Sequence, residues 1–386
     1  MKYRRFGRTE LQMPVISCGC MRFQYSWKDS DPQPPESDRN VAACLRRALE
    51  LGITHIETAR GYGTSEEQVG KALPQFQRDT YMLQTKIGPK HDVAAFKADF
   101  EKSMRLLGAD YLDLMSFHGI NNQDTLEATW KCLDTARAWQ RQGRIRHIGF
   151  ATHCCLPNRP ERIEANAMMR AIRSGEFDYV NLHWFYVQQN NWPAIEAARK
   201  KDMGVFIISP NDKGGKLYSP SAKFSEMCAP LHPMVFNGLY CLAHPEINTL
   251  SCGVARPEDF DLHLETAEKS EDAQRHLAPI LERLDTTMRQ CLGRDWVETW
   301  DTGLPEWDET PGNLNIPVTL RLYNLARAFD MVEYAKMRYN LLGNGDHWFP
   351  GERGDKLGEL DLTACLAHSP NAAKIPGILR EAHALL

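Results

Sequence analysis

Glu57, Tyr62, Lys86 and His118 are the residues whose types and spacing allow chemistry. Each falls at or just past the C-terminal end of an apolar, strand-like run. Glu57 lies in ITHIET, Tyr62 in the ARGYG just beyond it, Lys86 at the end of TYMLQTK and His118 at the end of YLDLMSFH. A phenol, an amine, an imidazole and a carboxylate converging on one mouth can donate a proton to a carbonyl. A tyrosine after a glycine, or a lysine at a strand end, is by itself an ordinary surface feature. Four such groups on consecutive strand ends are a candidate site.

The elements that must position them alternate along the chain. KYRRFG and LQMPVIS flank GRTE as an N-terminal hairpin. SCGCM follows as a strand. A helix is expected over 37–51, with Val41, Cys44, Leu45, Ala48 and Leu49 on one face and Gly52 as its stop signal. The strand runs ITHIET, TYMLQTK, YLDLMSF, IRHIGFAT, YVNLHWF, GVFIIS and INTLSCGV come next. They are separated by helical patterns such as AAFKADFEKSMRLLG, TLEATWKCLDTARAWQRQG, RIEANAMMRAIRSG and WPAIEAARKKD. Short apolar strands without strict alternation suit a parallel sheet covered by helices. Eight β–α units with no G-x-G-x-x-G after the first strand favour an α/β fold of the (β/α)8 TIM-barrel type over a doubly wound sheet. In such barrels the site gathers at the C-terminal strand ends, where all four residues lie. From about residue 270 the pattern changes to helices around a Trp-, Pro- and Asp-rich stretch, then a Gly-rich loop and IPGILREAHALL. This is expected to be a second, smaller helical domain, with residues 1–270 as the barrel and 271–386 as the addition.

Composition narrows the function classes. At 386 residues the chain exceeds one ordinary core. It is 42% hydrophobic and 25% charged, as soluble globular proteins are. A net charge of -4 without a basic stripe argues against nucleic acid as a partner. No apolar run reaches the length of a membrane span, and MKYRRFGRTE lacks the apolar core of a signal peptide. The eleven cysteines include no C-x-x-C pair, so the expectation is reduced thiols in the cytoplasm, mostly acting as small buried hydrophobes. Cys154 and Cys155 are expected to pack rather than react. His147, His153 and His183 lack acidic partners at ligand spacing, so no metal is expected.

With these residues located, residues 1–270 resemble the aldo/keto reductase superfamily. ETARGYGTSEEQVGKAL is similar to the family's D-T-A-x-x-Y-G…S-E-x-x-x-G-K-A-L segment, and IRHIGFAT to its I-R-x-I-G-x-S stretch. The resemblance implies reduction of aldehydes or ketones by NADPH. Tyr62 would protonate the carbonyl oxygen, Lys86 would assist a phenol whose ordinary pKa is about 10, and His118 would orient the carbonyl. The carboxylate would hold the lysine. Glu57 stands where the family has aspartate, and a misplacement of about 1 Å can cost on the order of 10²-fold in rate. The longer arm could instead regain the lysine through another rotamer, so the expectation is retained activity with the rate open to reduction.

For the cofactor, the resemblance points to Met21 after the first barrel strand, and to Thr152 and Asn181 on the carboxamide, with Ala151 unable to hydrogen-bond. Ser209, Lys213 and Gly214 would form a pyrophosphate loop. Gly253, Arg256, Asp259 and His263 would form the adenosine end. NADPH is the expected cofactor through Arg256. NADH is the alternative, because Asp259 would repel a 2′-phosphate. His153, Trp27, Trp184 and Phe185 would line the substrate mouth, with specificity in loops 22–36, 119–124, 184–193 and 216–246. Residues 271–386 resemble the ferredoxin-like domain of a family subgroup that carries two iron–sulfur clusters, through LNIP, RLYNLARAF, AKMRYNLL and IPGILREAHALL. Counting back from Pro370 in the pattern C-x2-C-x2-C-x3-C-P gives Ser369, Cys365, Leu362 and Glu359; counting back from Pro311 gives Thr310, Glu306, Gly303 and Trp300. One cysteine cannot hold a cluster, so no iron–sulfur cluster is expected. The partner is then a small-molecule carbonyl, with no nucleic acid and no membrane, and the protein a monomer or homodimer. A catalytically impaired nucleotide-binding protein acting through a partner is the alternative, and an iron–sulfur electron-transfer protein a third reading.

Overall fold

The short apolar runs close on one another. In the computed structural model, which describes residues 1–344 and 350–386, strands β1 (Tyr3–Arg5) and β2 (Gln12–Pro14) form an antiparallel hairpin. Eight further strands follow: β3 (Ile16–Gly19), β4 (His55–Glu57), β5 (Met82–Ile87), β6 (Leu112–His118), β7 (Ile145–Ala151), β8 (Tyr179–Leu182), β9 (Gly204–Ile207) and β10 (Thr249–Gly253). They form a closed barrel in the order β10-β3-β4-β5-β6-β7-β8-β9, with every pair parallel. This is the (β/α)8 TIM barrel expected from the alternating pattern. The expected Gly-rich loop near residue 345 lies partly outside the described residues.

Helices α1 (Pro35–Glu50), α2 (Ser65–Ala72), α3 (Val93–Leu107), α4 (Gln123–Arg141), α5 (Pro160–Ala165), α6 (Ala167–Ser174) and α7 (Trp192–Lys200) fall between barrel strands. On α1 the buried residues are Val41, Ala42, Cys44, Leu45 and Ala48, and Gly52 ends it at φ 77°. The stretch RIEANAMMRAIRSG differs from its expected single helix. Asn166 takes an extended ψ of 138°, and its side chain accepts the Met168 N–H, capping α6 and stopping α5. The N-terminal hairpin closes one end of the barrel. Phe6 and Met13 are fully buried against Leu114, Tyr179, Phe206 and Ile208.

The chain forms two compact units. One comprises Met1–Gly214 with Met234–Ala273, the other Gly215–Pro233 with Gln274–Leu386. The segment 215–233, expected within the barrel domain, therefore belongs to the second unit. It contains α8 (Ala222–Cys228), and its anchors explain the assignment. Ser221 Oγ donates to the Phe329 carbonyl at 2.7 Å, Arg283 donates to the Met227 carbonyl at 2.9 Å, and the Phe224 and Phe329 rings lie 5.8 Å apart. The second unit is helical, with a core built on Trp296, Leu314, Ile316, Leu320, Leu366 and Leu379. Leu362 sits in that core and Cys365 packs against it. No helix among the described residues is long and apolar enough to cross a membrane.

Candidate active site

Parallel register brings the four residues to one rim. Glu57 ends β4 and pairs with Gln84 on β5, Lys86 lies one residue before the end of β5, and His118 ends β6 opposite Ala151. Backbone pairing continues past β4 through Arg60 N–H to the Lys86 carbonyl, and the chain then turns at Ala59–Tyr62, which carries the phenol over the lysine. Gly63, next to Tyr62, takes φ 52°, and a Cβ there would meet the Ser26 carbonyl at 2.0 Å. Only glycine lets loop 22–36 lie this close behind the tyrosine.

Lys86 is the centre of the arrangement. Its ammonium is buried against the carboxylate of Glu57, donates to the Thr58 carbonyl at 3.0 Å and donates to the Tyr62 hydroxyl at 3.3 Å. Three N–H groups thus meet three acceptors. The phenol oxygen accepts from lysine, which leaves its own O–H to donate outward. Burial raises the phenol well above its ordinary range, so Tyr62 holds its proton at neutral pH. Burial pulls the Lys86 ammonium below its ordinary range, and the adjoining Glu57 carboxylate opposes that shift. The other Glu57 oxygen, Oε2, accepts from Ser251 Oγ at 2.9 Å.

The His118 ring stands edge-on to Tyr62 with centroids 5.8 Å apart. Burial, then the charges of Lys86 and Lys213, lower it to about 3, so it is a neutral imidazole with one N–H to offer. His55 in the barrel interior is likewise lowered to about 3 and His263 to about 4, both chiefly by burial. Their ordinary value is 6.5, so below that pH the unfolded chain binds protons that the fold refuses. The contribution of these histidines to stability should be full above pH 6.5 and decline as pH falls, by up to about 1.4 kcal/mol per pH unit for each. Thermal unfolding midpoints should therefore drop between pH 7 and pH 5; a flat profile would contradict the neutral imidazoles.

The expected cofactor residues fall into three groups. Thr152 and Asn181 meet through the Thr152 N–H and the Asn181 carbonyl at 2.9 Å. Both polar atoms of the fully buried Asn181 amide lack a hydrogen-bond partner among the described residues. Ser209 and Lys213 close a turn, Lys213 N–H to Ser209 carbonyl at 3.1 Å, next to Gly214, where a Cβ would meet the Pro210 carbonyl. The Lys213 ammonium is buried and lies 3.3 Å from His183 Nε2. In the third group, Asp259 accepts from the Ala255 N–H at 2.8 Å and from Arg256 Nε at 3.2 Å, so it caps its own loop. His263 is buried, and its Nε2 has no partner among the described residues. Met21 is exposed on the turn after β3.

Two residues escaped the sequence reading. Ser251 is one. The other is Arg22, whose stem lies 3.3 Å from where a Cβ on Gly253 would sit and whose charge acts on both Asp259 and His263. Of the mouth residues, His153 lies between His118 and His183, at ring distances of 6.1 and 5.2 Å, and Trp27 is exposed. Trp184 is buried among Trp192, Tyr240 and His244, and Phe185 is fully buried with its ring 5.6 Å from that of His183. His147 faces Asp178 at 3.8 Å. Among the described residues no cluster of three or more metal-binding side chains occurs.

A sequence model of the aldo/keto reductase family matches residues 15–215. An uncharacterized oxidoreductase of Bacillus subtilis is 24% identical over 297 residues, covering 69% of this chain and 91% of that protein. The L-glyceraldehyde 3-phosphate reductase of Escherichia coli is 28% identical over 235 residues, 55% of this chain and 62% of that one. Two solved structures share the fold. One is an aldo-keto reductase from Klebsiella pneumoniae in complex with NADPH, at TM-score 0.53 and 22% identity, covering 71% of this chain and 94% of that one. The other is the holo form of an aldo-keto reductase from Bacillus halodurans, at TM-score 0.55 and 20% identity, covering 72% of this chain and 96% of that one.

Proposed function

Because the chain belongs to the aldo/keto reductase family, we propose that it reduces aldehydes or ketones with NADPH, with Tyr62 as proton donor. The observation that carries this reading is the saturated Lys86 ammonium, which leaves the Tyr62 O–H as the donor facing a carbonyl. As the carbonyl oxygen gains negative charge, it takes the Tyr62 proton. Lys86, 3.3 Å away, then stabilises the phenolate left behind. The neutral His118 orients the same oxygen through its N–H. The Escherichia coli relative is named for a small phosphorylated aldehyde, which favours a small carbonyl substrate here.

The residues present fit a nicotinamide nucleotide. The unpartnered donor and acceptor of Asn181 match a carboxamide, with Thr152 beside it. When bound, the reduced nicotinamide supplies the hydride. Arg22 and Arg256 both act on Asp259, and these two cations favour a 2′-phosphate, hence NADPH over NADH. The NADPH in the Klebsiella pneumoniae structure points the same way. Fluorescence titration tests this choice. Arg22→Ala and Arg256→Ala should each weaken NADPH about tenfold and leave NADH nearly unchanged. Equal losses for both nucleotides would remove the phosphate role.

The second unit reads as a ferredoxin-derived domain without clusters. Leu362 fills its apolar core, and the buried Thr310 hydroxyl lies 2.8 Å from the Trp307 and Leu314 carbonyls, where it can donate to either, so two expected cluster positions now serve packing. Seven of the eleven cysteines are buried, which suits a reducing, cytoplasmic setting.

A further inference from the structure

We propose that Ser251, in the space left by Gly19, is a positioning residue that adapts this site to a glutamate at position 57. The inference rests on the reductase reading for its kinetic effect, but its geometry stands apart from it. β3 lies between β10 and β4 in the barrel, so a side chain on β10 reaches Glu57 only across β3. Gly19 is the β3 residue in register with Glu57. A Cβ at position 19 would lie 2.5 Å from Ser251 Oγ and 3.4 Å from Glu57 Oε2. Any side chain there would displace the hydroxyl from the carboxylate. With glycine, Ser251 Oγ donates to Oε2 at 2.9 Å while Oε1 faces Lys86.

A glutamate has one more side-chain torsion than an aspartate, and each staggered rotamer would send its carboxylate elsewhere. Two contacts on two different oxygens select a single placement. Lys86 alone fixes one oxygen and leaves the carboxylate free to swing about it. Ser251 supplies the second point, and the lysine is thereby held under Tyr62. An aspartate would be about 1 Å too short to keep both contacts, a distance that matters at this scale. Serine and glutamate therefore act as a pair, 194 residues apart in sequence.

A double-mutant cycle of Ser251→Ala and Glu57→Asp tests the pairing, read by turnover of 4-nitrobenzaldehyde with NADPH across pH and by NMR titration of the Lys86 ammonium. Ser251→Ala removes only the hydroxyl that donates to Glu57. It should lower kcat about tenfold, with KM for the aldehyde within about twofold, and shift both the pH profile and the Lys86 titration. Ser251→Thr, which keeps the hydroxyl, should restore most of the rate. In the Glu57→Asp background the same serine substitution should change kcat less than about twofold and leave the Lys86 titration where it is. Equal effects in both backgrounds, or a Lys86 titration indifferent to Ser251, would overturn the inference. If the unaltered protein turns over no carbonyl, the reductase reading fails, and the Lys86 titration still decides the role of Ser251.

Discussion

Replacing Tyr62 by phenylalanine should lower kcat for carbonyl reduction by about 10³-fold, within the range for loss of a general acid. The substitution removes the proposed proton donor. Lys86 already spends its three hydrogens on Glu57, Thr58 and Tyr62, and His118, held neutral by burial, is a poor acid. The ring itself would remain, since it stands perpendicular to the His118 ring at 5.8 Å and its face lies 4.8 Å from the Lys86 ammonium. Thermal stability and NADPH affinity should therefore stay close to those of the unaltered protein. Steady-state kinetics together with a cofactor titration separate the cases. A loss of rate matched by a loss of cofactor binding would mean that Tyr62 shapes the pocket instead of supplying the proton.

Lys86→Met should act on both stability and rate. Glu57 is 2% exposed, and the change would strip its carboxylate of its ionic partner and leave it a single hydrogen bond from Ser251. Breaking a buried pair from one side costs about 3–5 kcal/mol. Denaturant unfolding should show that loss, and kcat should fall by at least about 10² as the phenolate loses its stabilising charge. Adding Glu57→Gln neutralises the orphaned carboxylate, so the double variant should recover much of the stability and none of the rate. Recovery of rate with stability would assign the pair a purely structural task.

The barrel and its four rim residues were legible because strand ends and their polar termini are local features. TYMLQTK and YLDLMSFH each state a buried strand and the group it delivers. Ser251 was not legible, since its partner depends on which strands are neighbours in a closed barrel and on the missing side chain of Gly19. Arg22 escaped for a similar reason: its loop meets Gly253 only once β10 pairs with β3. Within RIEANAMMRAIRSG the helical period is real, but the capping side chain of Asn166 competes with it locally. An apolar face also does not name its core. The segment 215–233 packs with the second unit, and Trp184 turned inward to Trp192 and Tyr240.

In the proposed reaction, reduced nicotinamide held at this rim delivers a hydride to a carbonyl carbon while Tyr62 protonates the oxygen. Incubation with NADPH deuterated at the transferable position and 4-nitrobenzaldehyde tests it most directly. The expected product is 4-nitrobenzyl alcohol carrying one deuterium on its benzylic carbon, formed by the unaltered protein and almost absent with Tyr62→Phe. Bound cofactor with no deuterated alcohol, or equal deuterium transfer by Tyr62→Phe, would contradict it.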